Sequence, residues 1–375
     1  MTALLPNIRQ LVVEYDFLSS DNHTSSPEPE PSNALYLYLF LSPKLQNATL
    51  ETWGKDSMPL LHQLAISCPQ LRYLGMNSFP ETVGFVRCFS SLEGLSCSEN
   101  PIDASVLDQM AYLPSLRELC VALPDDFSRI ERRGPHDQLP FAALKTLDLC
   151  GPSEPQHIIK FLRSVDLKQL HNLSLFLSQC QADEALKTLN AVSKFTTLRS
   201  LDISAFHTKV YSYFPPQAIL RLSHLEKLEF SLGGMSTTNH SAEELGRACP
   251  KLRHLKMQYG SDQFWTLDVL ESFATHLPAL EHLIITLDTT VAPVLGEPKA
   301  RSQVPISLDL ESSQLSKEHW EPTAAYIARV YPNATFTSNS LWRNWADEKL
   351  VDVDENMLNW RYVGRAVKKA RSGSP

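Results

Sequence analysis

His254 and His282 stand 28 residues apart in matching surroundings, Leu252-Arg-His-Leu255 and Leu280-Glu-His-Leu283, so a shared metal ion is the first chemistry to consider. A zinc site needs three or four ligands, and the sequence supplies no third ligand at a recognisable spacing, so the pair reads as two surface imidazoles. The seven cysteines (Cys68, Cys88, Cys97, Cys120, Cys150, Cys180 and Cys249) contain no Cys-x-x-Cys pair and no flanking His at zinc spacing. They read as reduced core or near-core thiols. There is no Gly-x-Ser-x-Gly, no Gly-rich phosphate loop with its Lys and no His-Glu-x-x-His. The acids of Asp352-Val-Asp-Glu-Asn356 lack the glycine and terminal Glu of a calcium loop. The expectation is a chain that is not an enzyme, with no catalytic residue, no metal and no cofactor.

The matching surroundings of the two histidines point instead to a repeat. Leu252, Leu255 and Met257 follow the order LxxLxΦ (Φ apolar), which recurs at Leu71/Leu74/Met76, Leu92/Leu95/Cys97, Leu116/Leu119/Val121, Leu144/Leu147/Leu149, Leu170/Leu173/Leu175, Leu198/Leu201/Ile203, Leu225/Leu228/Phe230 and Leu280/Leu283/Ile285. Looser copies stand at Ile8/Leu11/Val13 and Leu45/Ala48/Leu50. From Leu45 onward the copies are spaced by 21 to 28 residues, the period of leucine-rich repeats. Between them lie apolar patterns of helical period, such as Val106/Leu107/Met110 and Ile158/Ile159/Leu162. Asp103, Asp183 and Ser241 offer oxygen acceptors or acids at helix starts, and Cys68-Pro69, Leu113-Pro114, Cys249-Pro250 and Leu277-Pro278 mark exits. The predicted fold is an α/β leucine-rich-repeat solenoid: a right-handed horseshoe with a parallel concave sheet and convex helices, in about 11–12 irregular repeats over 1–338. Residues 339–375 are expected to form a C-terminal cap, with Trp342 and Trp345 across the last rung, followed by a frayed basic tail.

Further segments interrupt the ladder. Residues 19–33, with three alternating prolines and no large apolar side chain, should be a disordered surface insertion. Inserts at 124–140, 207–217 (with Tyr211, Tyr213 and Phe214) and 289–305 each follow a strand, so they should gather on one rim. The apolar run 34–41 reads as a buried helix, because it is less than half the ~20 residues that cross a bilayer. A net charge of −8 argues against a general nucleic-acid binder. No secretory pattern is visible at the N-terminus, and the expected compartment is cytoplasm or nucleus. The first strand begins almost at Met1, in mid-repeat, which leads us to expect a further segment upstream in the native product.

Alternation along each strand points the repeat leucines inward and the intervening residues to the open face. Small residues dominate that face in the early rungs and charged or imidazole groups in the later ones. The candidate protein-binding residues are Asp148, Asp202, Lys227, Glu229, His254, Lys256, Gln258 and His282. Charge reversal at Lys227 and Lys256 together is expected to weaken binding and leave the melting temperature nearly unchanged.

The launches Cys68-Pro-x-Leu-Arg-x-Leu74, Cys249-Pro-x-Leu-Arg-x-Leu255 and Leu113-Pro-x-Leu-Arg-x-Leu119 resemble the ribonuclease-inhibitor-type repeats of F-box/leucine-rich-repeat proteins, and the irregular inserts are similar to the fungal set. The resemblance covers nearly the whole chain but not the F-box, which in that family precedes the repeats and docks a Skp-type adaptor. It implies the substrate-binding part of an F-box-type ubiquitin-ligase adaptor, monomeric, with a protein substrate on the concave face and a Skp-type adaptor only if an upstream F-box exists. The alternative is a free-standing protein-binding scaffold or inhibitor with no link to ubiquitin.

Overall fold

The second leucine of each LxxLxΦ unit decides how neighbouring strands pair. Side chains alternate between the two faces of a strand, so only one register stacks leucine on leucine in the core. A computed structural model of the chain describes residues 5–13, 37–50, 58–77, 88–126, 139–151, 153–178, 180–213, 215–236, 238–257, 265–290, 293, 300–310, 313–337 and 355–372. These fall into two compact units, Met1–Ser178 and Gln179–Pro375.

The first unit holds β1 (Gln10–Val13), β2 (Asn47–Leu50), β3 (Tyr73–Met76), β4 (Gly94–Pro101), β5 (Glu118–Ala122), β6 (Thr146–Leu149) and β7 (Asn172–Phe176) in one parallel sheet in sequence order. Leu11, Ala48, Leu74, Leu95, Leu119, Leu147 and Leu173 are register partners in turn, and none is more than 9% exposed. One carbonyl per rung launches the next strand: Arg72 O accepts from the N–H groups of Glu93 and Gly94, and Glu93 O from those of Arg117 and Glu118. Helices α1 (Met58–Ser67), α2 (Ala104–Met110) and α3 (Pro155–Ser164) return the chain. Asp103 caps α2 by accepting from the Ser105 N–H at 2.7 Å. The apolar stripe of α3 (Ile158, Ile159, Phe161 and Leu162) is buried, with Phe161 edge-on to Phe141 at 5.9 Å between ring centroids.

The second unit carries α4 (Ala182–Val192), β8 (Ser200–Tyr213), β9 (Lys227–Ser236), α5 (Asn239–Ala248), β10 (His254–Met257), β11 (Trp265–Thr266), α6 (Val269–His276), β12 (His282–Ile285), β13 (Leu287–Asp288), β14 (Ile306–Asp309), α7 (Trp320–Val330), β15 (Ala334–Phe336) and α8 (Glu355–Ser372). Here β8, β9, β10, β12, β14 and β15 pair in parallel in that order, with Leu201, Leu228, Leu255, Leu283 and Leu308 in register. A separate parallel pair joins β11 to β13. Gly246 lets α5 lie directly on the end of α6, because a Cβ there would run into the His276 carbonyl. Each unit is thus an α/β leucine-rich-repeat array, with every expected rung at its expected register.

Elsewhere the structure departs from the sequence reading. Residues 207–213 are not a rim loop but the continuation of β8, which follows β9 outward with register shifts to Tyr213 opposite Ser236. Of the apolar run 34–41, the described part is a single 3-10 turn, Tyr38–Phe40, flanked by buried Leu37 and Leu41. The tail beyond Arg361 is helical to Ser372: α8 buries Trp360, Val363 and Val367. The Trp360 indole N–H donates to Ser313 O and the Asn359 amide to Leu315 O, both at 2.8 Å. Two helices begin a little earlier than their acidic signals suggested. The Gln181 N–H donates to the Glu184 carboxylate ahead of α4, and the Thr238 N–H to the Ser241 hydroxyl ahead of α5. The expected insert at 19–33 and the Trp342/Trp345 cap lie outside the described residues, as do most of the insert at 124–140 and residues 291, 292 and 294–299 of the insert at 289–305.

Leu228 is fully buried at the centre of the second ladder. Leu228→Ala should therefore destabilise the chain by ~2–5 kcal/mol in urea unfolding, through lost transfer energy plus a cavity. Ser231→Ala, on the open face of the same strand, should stay within ~0.5 kcal/mol.

Candidate functional site

Alternation places Lys227 and Glu229 of β9, His254 and Lys256 of β10, and His282 of β12 on the face opposite the leucines. Register then brings them together. His254 lies between Lys227 and His282, and Lys256 sits beside Glu229. Glu229 is the centre of the group, with its side chain only 14% exposed. Its Oε1 lies 2.7 Å from Lys227 Nζ and 3.3 Å from His254 Nε2, and its Oε2 lies 3.2 Å from Lys256 Nζ. The His254 contact has ion-pair distance without hydrogen-bond alignment. A carboxylate this enclosed needs partners to remain charged. The His254 imidazole, followed by Lys227 and Lys256, holds it well below the usual carboxylate range against the opposing effect of burial.

Both lysine side chains remain partly exposed, Lys227 at 45% and Lys256 at 29%. The His254 and His282 rings lie 5.7 Å apart, tilted by 44°. Among the described residues no third ligand joins them within metal-binding reach, so the pair belongs to the polar cluster. Asp202 on β8 is the register partner of Glu229 and extends the cluster's acidic side. Asp148 lies on β6 in the first unit. Gln258 lies outside the described residues.

Beside this cluster runs a line of alternating charge from the residue after the first leucine of each rung: Arg199, Glu226, Arg253 and Glu281. The first pair is 3.8 Å apart, and Arg253 pairs with Glu281. These residues are well exposed, so each pair adds little stability.

Sequence reading missed a second convergence. Cys120 of β5 and Cys150, one residue past the end of β6, bring their sulfurs to 3.2 Å, and Cys120 Sγ lies 3.6 Å from Asp148 Oδ2. Asp148 and Cys150 are 28 and 30 positions from Cys120, so no local motif reveals the cluster. The signal was the repeat itself, read diagonally from one rung's open-face column to the next.

The Glu229 geometry also corrects the expected effect of charge reversal at Lys227 and Lys256. Two carboxylates in their place would face Glu229 across about 3 Å and lower stability. Glu229→Gln should cost about 1–3 kcal/mol near pH 7, by leaving three basic groups without their acceptor. Because the folded state lowers the Glu229 pKa, its contribution is present above the ordinary value of 4.5 and fades as pH falls below it. Urea unfolding at pH 7 and pH 3 should show the wild-type advantage narrowing at the lower pH.

No family model matches the sequence, and no curated protein matches it. Among solved structures the chain is similar to an internalin (inlF) from Listeria monocytogenes str. 4b F2365, with 17% identity and a TM-score of 0.41 over 87% of this chain and 77% of that one. It is also similar to TLR13 in its complex with ssRNA13, with 15% identity and a TM-score of 0.41 over 88% of this chain and 54% of that one. In fold the chain is an α/β leucine-rich-repeat protein, as the in-register ladder of each unit shows.

Proposed function

We propose that this chain is a protein-recognition module whose contact surface centres on Lys227, Glu229, His254 and Lys256. The observation that carries this reading is the enclosure of Glu229 by three basic groups on an open strand face. Solvation alone would be served by small polar residues, which need no paired, half-buried charge. With both lysines tethered to one carboxylate, less side-chain freedom is lost when a partner binds. Their remaining N–H donors suit a segment that presents carboxylates or backbone carbonyls.

At a finer level, we hold this surface to be the substrate-receiving part of an F-box-type ubiquitin-ligase adaptor. The support is the set of Cys-Pro-x-Leu-Arg-x-Leu and Leu-Pro-x-Leu-Arg-x-Leu launches. The alternative is a free-standing scaffold or inhibitor. Native complexes isolated from source cells separate the two: a Skp-type adaptor and a cullin in stoichiometric amounts support the first, and their absence supports the second. Among the described residues no helix is long and apolar enough to cross a membrane.

Lys227→Gln combined with Lys256→Gln removes the two ammonium groups without adding repulsion. It should weaken the partner's affinity about tenfold or more, measured by calorimetry with the partner recovered in those complexes. Unchanged affinity in a variant that folds normally would move recognition away from this face.

A further inference from the structure

We propose that Cys120, Asp148 and Cys150 form a binding site for a thiophilic divalent cation of the zinc class, held by two thiolates and one carboxylate oxygen. Cys120 and Asp148 are direct register partners on β5 and β6. Cys150 lies two residues beyond Asp148, on the same side of the chain by strand alternation. One potential ligand atom from each residue lies within 4.8 Å of the other two, and all three residues are partly exposed, so an ion could enter from solvent.

The backbone around Cys150 is fixed without any ion. The Cys150 N–H donates to Val121 O at 3.2 Å, continuing the ladder one residue past β6. Gly151 then turns the chain at φ +82°, where a Cβ would meet the Ser98 carbonyl oxygen at 2.6 Å and the Ala122 Cβ at 2.9 Å. Two residues later the Ser153 hydroxyl accepts the Leu123 N–H at 2.7 Å and ties down the following loop. The ligand-bearing segment is therefore pre-arranged, as a binding site requires.

The distances are close to those a bound cation would need. Zinc takes sulfur at about 2.3 Å and carboxylate oxygen at about 2.0–2.2 Å in tetrahedral array, which sets sulfur and oxygen roughly 3.5 Å apart and two sulfurs roughly 3.8 Å apart. The Cys120–Asp148 separation of 3.6 Å already fits, and the 3.2 Å between the sulfurs needs only a small side-chain rotation. Without an ion, the two thiols share a hydrogen bond that lowers the Cys120 pKa and raises that of Cys150, while the Asp148 charge opposes ionisation of both. A divalent cation would neutralise this group and displace the thiol protons. Two thiolates and one carboxylate leave a fourth position for water or for a donor from a bound partner.

The test uses the full chain, reduced and freed of metal, titrated with Co(II) as a spectroscopic probe. The expected result is a thiolate-to-cobalt charge-transfer band, with visible bands of tetrahedral intensity, saturating at one equivalent and abolished by Zn(II). Cys120→Ser and Cys150→Ser should each weaken uptake more than tenfold. Asp148→Asn, which keeps both thiols, should weaken it about tenfold. Cys88→Ser, an exposed thiol outside the cluster, should change nothing. One equivalent of Zn(II) should also slow oxidation of Cys120 and Cys150 by air. No band at stoichiometric cobalt, a band that survives Cys150→Ser, or a Cys120–Cys150 disulfide that forms equally fast with zinc present would each overturn the proposal.

Discussion

A slip of one residue between two neighbouring rungs would turn every inward leucine of the displaced strand toward solvent and every polar residue into the core. This constraint governs each unit, because Leu147, Leu201, Leu228 and Leu255 are essentially unexposed and tolerate no other placement. The backbone reinforces it. The carbonyl of the residue after each rung's first leucine accepts two N–H groups from the next rung, as Glu226 O does from Arg253 and His254. The core therefore fixes the open face as well. Glu229 meets Lys256, and Cys120 meets Asp148, because the leucines beside them have one allowed alignment.

On a face so determined, charge becomes a matter of position. The line Arg199, Glu226, Arg253 and Glu281 alternates in sign and is well exposed, so it contributes little energy. Glu229 differs in being enclosed, and its charge persists only because His254, Lys227 and Lys256 surround it. The same register gives opposite electrostatics in the first unit. There Cys120, Cys150 and Asp148 stand together with no basic group among them, and the contact between the thiols lowers the Cys120 pKa while raising that of Cys150.

The inward half of the ladder was fully legible in the sequence, since LxxLxΦ names both the buried residues and their register partners. Lys227, Glu229, His254, Lys256 and His282 were legible as column members for the same reason. Their ion pairing was not, because it depends on side-chain reach between rungs. The extension of β8 was hidden because Tyr211, Tyr213 and the following prolines look like a loop until β9 is found running beside them. The terminal helix was read as a frayed tail because its basic residues outnumber the three that bury it, Trp360, Val363 and Val367. The Cys120–Asp148–Cys150 cluster left no local trace, because a whole repeat separates Cys120 from the other two.

The claim that the Glu229 cluster receives a protein partner is tested most directly by lysine footprinting of the chain within its native complex. Acylation rates of the lysines are compared between the free chain and the complex. The account predicts strong protection of Lys227 and Lys256, while Lys187, on the exposed surface of α4, reacts at the same rate in both. Full reactivity of Lys227 and Lys256 in the complex, with protection appearing elsewhere, would contradict it.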